Sequence, residues 1–202
     1  MTDNFAHRAL TWDEPAKIEM TSLFLSAMFE RITAQKEWKA LEIGAGTGLV
    51  GLQVLEKVDC VVFEDTSEAM LDVLMQKLEG DENIEIIHGE ITDYKRQDID
   101  LIFSSMAFHH IPDIDAAVNH LYSITKLGAL VVIGDIRTED GSFHRFEPIP
   151  HKGFDTEELA AQFVKAGFSI QSVETYNVLK RERVPGIISE YEQFMLIAKR
   201  DA

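Results

Sequence analysis

The chain reads as short apolar runs of strand length, separated by stretches in which apolar residues return every three or four positions. Residues 1–14 show no period, which marks a mobile arm holding Trp12 and Asp13. A helix is expected from Pro15, a residue suited to the first helical turn, with Leu25, Met28, Phe29 and Ile32 as its apolar stripe. Ala40, Leu41 and Ile43 form the first strand, which Gly44, Gly46 and Gly48 break at once. From Leu49 the period turns helical, with Leu49, Leu52 and Leu55 three apart and Val50 and Val54 four apart.

The alternation continues. A strand over Val58 to Phe63 ends in Glu64 and Asp65, and Thr66 or Ser67 can cap a helix whose apolar face is Met70, Val73, Leu74 and Leu78. Strands follow at Ile84 to Ile87, Asp100 to Phe103 and Leu127 to Asp135, with a helical stripe of Ile114, Ala117, Val118, Leu121 and Ile124 before the last of them. Residues 136–152 are irregular and contain His144, Phe146 and His151, the pattern of a lid. Asp155 caps a further helix that Gly167 ends, and Phe168 to Val178 and Glu192 to Ala198 close the chain as two strands joined through Pro185 and Gly186. Strands alternating with helices this regularly imply right-handed crossovers in a parallel sheet.

Composition narrows the setting. At 202 residues the chain is most economically one domain, spanning 1–202, and its 19 Lys and Arg against 35 Asp and Glu give a formal charge of −16. That average field repels phosphate backbones and anionic membranes, so neither nucleic acid nor a membrane is expected as partner. The one dense basic cluster, Lys180, Arg181 and Arg183, reads as a solvated loop. A lone Cys60 in an apolar run excludes an internal disulfide, and no apolar run reaches membrane-spanning length, so a cytoplasmic setting is expected.

The first strand, its glycine turn and the helix start together make a cradle, because backbone N–H groups there are open to a small molecule. Gly46-Thr-Gly-Leu-Val-Gly51 spells the dinucleotide fingerprint, which keeps a nicotinamide cofactor open. Read from Glu42, however, the run is E-x-G-x-G-x-G. A carboxylate there repels a pyrophosphate and favours a cationic ligand. In this form the stretch resembles the first motif of the class I S-adenosylmethionine-dependent methyltransferases. The likeness implies a Rossmann-like, doubly wound, mostly parallel seven-stranded sheet with an antiparallel C-terminal strand and helices on both faces. It also implies S-adenosylmethionine as cofactor, bound around Glu42, Gly44, Ala45, Gly46 and Gly48.

An acid about 20 residues past such a turn grips ribose hydroxyls, since a carboxylate accepts two hydrogen bonds from a vicinal diol. Asp65-Thr-Ser-Glu-Ala-Met-Leu71 resembles the family's second motif, which places Asp65 in that role with Thr66 and Met70 beside it. His88-Gly-Glu-Ile91 stands where the family commonly has Gly-Asp-small residue. The resemblance therefore assigns Gly89, Glu90 and Ile91 to the adenine, with Glu90 a departure in length and Ile91 an apolar wall. Asp100-Leu-Ile-Phe-Ser-Ser-Met-Ala-Phe-His-His-Ile-Pro-Asp113 resembles the fourth motif and adds Ser104 and Ser105. Thr11-Trp-Asp-Glu14 is similar to N-terminal segments that cover the active site in small-molecule methyltransferases, so residues 1–35 are expected as an arm and helix over the site.

His109 and His110 follow the fourth strand, where a donor methyl would emerge, and histidine is the side chain best matched to proton transfer near neutrality. They are the candidate catalytic residues. His109, His110, His144 and His151 fit no recognised metal-ligand spacing, so no metal is expected. The leading function is methyl transfer to a small apolar or aromatic metabolite. A nicotinamide-dependent oxidoreductase and a non-catalytic S-adenosylmethionine-binding protein are the alternatives.

Overall fold

The computed structural model describes residues 6–80 and 83–201, so the first five residues of the expected arm lie outside the described part. Seven strands, β1 (Lys39–Ile43), β2 (Cys60–Asp65), β3 (Ile84–His88), β4 (Ile99–Ser105), β5 (Thr125–Ile136), β6 (Phe168–Val184) and β7 (Ile187–Arg200), form one sheet. Their order is β3-β2-β1-β4-β5-β7-β6. The first five run parallel, and β7 inserts antiparallel between β5 and β6. Among the described residues five α-helices, α1 (Pro15–Arg31), α2 (Gly51–Leu55), α3 (Glu68–Met75), α4 (Ile114–Ile124) and α5 (Thr156–Ala166), complete the frame.

Both faces of the central strands are buried, which explains their unbroken apolar runs. Because side chains alternate across a strand, Ala40, Val61, Phe103 and Val132 face one core with Phe24 and Met28 of α1. Leu41, Val62, Ile102 and Val131 face the other, with Leu121 of α4 and Phe163 of α5. Strand order reverses between β1 and β4, so the turns after these two neighbours open on one crevice at the sheet's carboxyl edge.

Two expectations need correction. The helix after the glycines is a single short one, Gly51–Leu55, because Leu49 and Val50 belong to the turn that precedes it. The closing hairpin runs to Val184 and resumes at Ile187, well beyond the expected ends at 178 and 192. Its outer part extends beyond the end of β5 and packs Leu179 and Tyr191 against Ile136, with Met20, Met106 and Phe143 around them. Lys180, Arg181 and Arg183 therefore lie on a strand, not a loop.

Candidate active site

The glycine turn is held by its own geometry. Gly44, Gly46 and Gly48 have φ of +66°, +54° and +79°, a region that favours glycine. A Cβ on Gly44 would lie 2.3 Å from that of Ala107, so the turns after β1 and β4 touch backbone to side chain. The Ala45 N–H donates to the Glu64 carbonyl at 2.8 Å, and the Gly46 N–H to Asp65 Oδ2 at 2.7 Å.

Carboxylates gather beneath this turn. Glu42 is 3 % exposed and its Oε2 has no hydrogen-bond partner among the described residues. Glu64 is 4 % exposed, with Oε2 at 3.4 Å from the Gly44 nitrogen. Burial pushes Glu64 up to about 8, with Asp65 adding to the effect. Burial also raises Glu42 well above the usual range, against the Gly51 N–H that favours its charged form. No described cation forms an ion pair with either acid.

The remaining expected cofactor residues divide by placement. Asp65 is half-buried at the end of β2, and its Oδ1 accepts from the Ser67 N–H at 2.8 Å. Ser67, not Thr66, caps α3 by accepting from the Met70 N–H, which leaves Thr66 exposed. Glu90 is exposed and caps the 3-10 turn Ile91–Asp93, and a Cβ on Gly89 would displace the Asp93 carboxylate, whose Oδ2 accepts from the Glu90 N–H. Met70 and Ile91 are buried core residues. Ser104 is fully buried and donates to the Ile43 carbonyl at 3.2 Å, tying β4 to β1, whereas Ser105 is half-buried.

The N-terminal segment lies over this turn. Residues Ala6–Thr11 form a 3-10 helix that packs on α3, and Trp12 Nε1 is 3.8 Å from where a Gly46 Cβ would stand. Asp13 accepts from Thr47 Oγ1 at 2.5 Å and pairs with Lys77 Nζ at 2.6 Å. The same Lys77 Nζ donates to the Thr47 carbonyl at 2.6 Å, which closes a small clamp. Lys17 Nζ sits 4.0 Å from the Trp12 ring centroid, and burial and the nearby Arg8 bring its pKa down to about 8. A surface groove lined by Arg31, Gln171 and Glu174 among others lies beside the end of α1 and shares no residue with this crevice.

Beyond β4, Met106 is held at φ +57°, a strained conformation for a long side chain at the start of the histidine turn. His109 is 1 % exposed, and Asp135 at the end of β5 holds it twice. The His109 N–H donates to Oδ2 at 3.0 Å, and Nδ1 lies 2.7 Å from Oδ1. His109 Nε2 faces His144 Nε2 at 3.2 Å, and the His110 ring lies 4.2 Å from the His109 ring. Residues 137–153 thus fold back on the sheet edge as a lid, with the His151 N–H on the His109 carbonyl at 3.3 Å. Burial, then His109, bring His110 down to about 3 and His144 down to about 4, so both are neutral near pH 7.

Phe143, beside His144, carries Arg183 over its ring at 4.9 Å and packs on Tyr191, whose hydroxyl meets Ser142 Oγ at 2.7 Å. Sequence reasoning passed over Asp135. Its only signal is an acid that ends an otherwise apolar strand run.

Residues 40–128 match the family model of a methyltransferase domain. The chain is 29 % identical over 137 residues to malonyl-[acyl-carrier protein] O-methyltransferase 1 of Ilyobacter polytropus, covering 65 % of this chain and 50 % of that one. It thus spans about half the length of the curated relatives it matches first. A Haloferax volcanii putative methyltransferase, solved with the Trm112 methyltransferase activator, superposes with a TM-score of 0.84 at 13 % identity over the whole of both chains. Phosphoethanolamine N-methyltransferase 2 of Haemonchus contortus, in complex with S-adenosyl-L-methionine, gives 0.75 at 17 % identity over 99 % of this chain and 60 % of that one. At these identities the structural likeness establishes the fold.

Proposed function

We propose that this chain, which belongs to the class I S-adenosylmethionine-dependent methyltransferases, moves a methyl group from S-adenosylmethionine to a small molecule with an apolar or aromatic body. The observation that carries this reading is Glu42, a buried acid whose Oε2 has no hydrogen-bond partner among the described residues, under a glycine turn. Burial keeps such an acid protonated in the free protein, a nearby cationic group favours its charged form, and the pyrophosphate of a nicotinamide cofactor does the opposite. The turn also fits the group sterically at Gly46, where a side chain would enter the space between the turn and Trp12.

In this reading Asp65 takes the ribose diol, the backbone of Gly44 to Gly48 cradles the amino-acid end, and Gly89 and Glu90 border the adenine. Bound S-adenosylmethionine supplies a methyl group on a cationic sulfur, open to in-line displacement. The protein's own part is approximation and alignment, which contribute on the order of 7–11 kcal/mol. Trp12 and the 137–153 lid exclude water, and Met20, Met106 and Phe143 offer an apolar wall to the acceptor, with Arg183 beside it for an acidic or polar substituent.

The histidines serve the acceptor by position. A base with a pKa near 3 or 4 is poorly matched to proton abstraction near pH 7, which argues against His110 or His144 as an efficient general base. His109, with Nδ1 on Asp135 and Nε2 on His144, is a positioning residue. The test is a panel of small acceptors, including carboxylic acids, phenols and thiols, with S-adenosylhomocysteine formation as readout. Turnover of one class supports the proposal. Tight cofactor binding with no turnover of any would reduce the chain to a cofactor-binding protein.

A further inference from the structure

Three imidazoles from two separated segments meet at the crevice. His109, His110 and His144 each offer a ring nitrogen, and these nitrogens all lie within 4.8 Å of one another. The sequence spacing did not announce this, because the lid that carries His144 closes a distance of 35 residues.

The hydrogen bonding of the cluster is incomplete without a further group. Asp135 is an acceptor, so His109 carries its proton on Nδ1 and presents a bare lone pair at Nε2. His144 Nε2 faces that lone pair at 3.2 Å, while His144 Nδ1 is buried with no partner among the described residues. If His144 donates through Nε2, its Nδ1 is a buried unsatisfied acceptor; if it is protonated on Nδ1, two lone pairs oppose each other. Either tautomer leaves one polar atom unsatisfied, an arrangement that costs stability. His151 Nε2, on the same lid, is also buried without a partner.

A metal ion held by both Nε2 atoms turns their facing lone pairs into ligands. With metal–nitrogen bonds of about 2.0–2.1 Å, two ligands of a tetrahedron stand about 3.3 Å apart, close to the separation of the two Nε2 atoms, and His110, whose nitrogen lies within 4.8 Å of them, has to draw inward to complete the set. A carboxylate on the far nitrogen of a ligating histidine, here Asp135 on His109, is the usual support that fixes tautomer and ring. We propose that His109, His110 and His144 bind one divalent transition-metal ion, zinc best among them, with Asp135 as the residue that orients His109. Three protein ligands leave a coordination position for an oxygen or sulfur donor of a second molecule. That this molecule is the methyl acceptor rests on the methyltransferase reading; the metal binding itself does not.

The experiment is titration of the full chain, free of added histidines, with Co2+ followed by its visible ligand-field bands, and with Zn2+ against a chromophoric chelator. One ion per chain is expected, with tetrahedral-type Co2+ bands. His144→Ala, a change in the lid that spares the core, should weaken binding at least tenfold, and Asp135→Asn about tenfold or more. Calorimetric binding of S-adenosylhomocysteine to His144→Ala serves as the control for folding and for the cofactor reading. No ion bound by the wild-type chain, or equal affinity in a His144→Ala chain that still binds S-adenosylhomocysteine, overturns the metal site and leaves the methyltransferase reading standing. Metal bound with no response to S-adenosylhomocysteine does the reverse.

Discussion

The Asp65 carboxylate accepts the Gly46 N–H at 2.7 Å, so the acid that ends β2 and the glycine turn that follows β1 form one unit. Glu64, one residue earlier, points into the core and Asp65 toward the crevice, as strand alternation requires.

The two acids therefore separate by mutation. Asp65→Asn keeps the size and leaves the Ser67 cap of α3 in place. It removes the charge and half of the acceptor capacity that a ribose diol would use. Hydrogen bonds to charged groups contribute about 1.5–3 kcal/mol, so affinity for S-adenosylhomocysteine should fall by about tenfold or more, and that for Glu64→Gln by much less. Calorimetric titration of both variants decides it. The opposite ranking would move the ribose contact to Glu64.

Buried Glu64 gives the ligand-free protein a pH dependence. Burial lifts its pKa from 4.5 to about 8, so between those values the folded chain keeps a proton that the unfolded chain has released. Stability is therefore expected to fall as pH rises through this window, with Glu42 acting in the same direction. Glu64→Gln should flatten the profile of melting temperature against pH. Parallel profiles for the two proteins would show that Glu64 ionises without cost.

The Asp13–Lys77 clamp predicts a local effect. Both side chains are about one-third exposed, so Lys77→Met should change global stability by no more than about 1 kcal/mol. Losing the contacts to Asp13 and the Thr47 carbonyl should nonetheless free the arm, and limited proteolysis within residues 6–14 should quicken several-fold. Unchanged cleavage would mean that Trp12 and the 3-10 helix hold the arm without the clamp.

What could be read from the residues follows their physics. The strand-turn-helix unit, the helix start at Pro15 and the cap at Asp155 rest on local rules, and the structure has them. Apolar runs buried on both faces gave the parallel strands. The outer hairpin escaped, because its β6 strand mixes Lys180, Arg181 and Arg183 with apolar residues and pairs mainly with β7. Trp12 over Gly46, and His144 and Asp135 on His109, are contacts between distant segments, which no local period encodes.

Gly46→Val tests the covered turn. Its φ of +54° is strained for a branched residue, and a Cβ there already stands 3.8 Å from Trp12 Nε1. A folded Gly46→Val chain should lose S-adenosylhomocysteine binding and admit protease to the arm. Retained affinity would show that the ligand does not approach this glycine.

The most direct test of the whole account is a calorimetric titration of the full chain with S-adenosylhomocysteine and, in parallel, with NADH. One S-adenosylhomocysteine per chain is predicted, with a stabilisation of about 2.7 kcal/mol at a hundredfold excess over Kd and no heat from NADH. Binding of NADH with no response to S-adenosylhomocysteine would contradict it, because the acids under the glycine turn would then be facing a pyrophosphate.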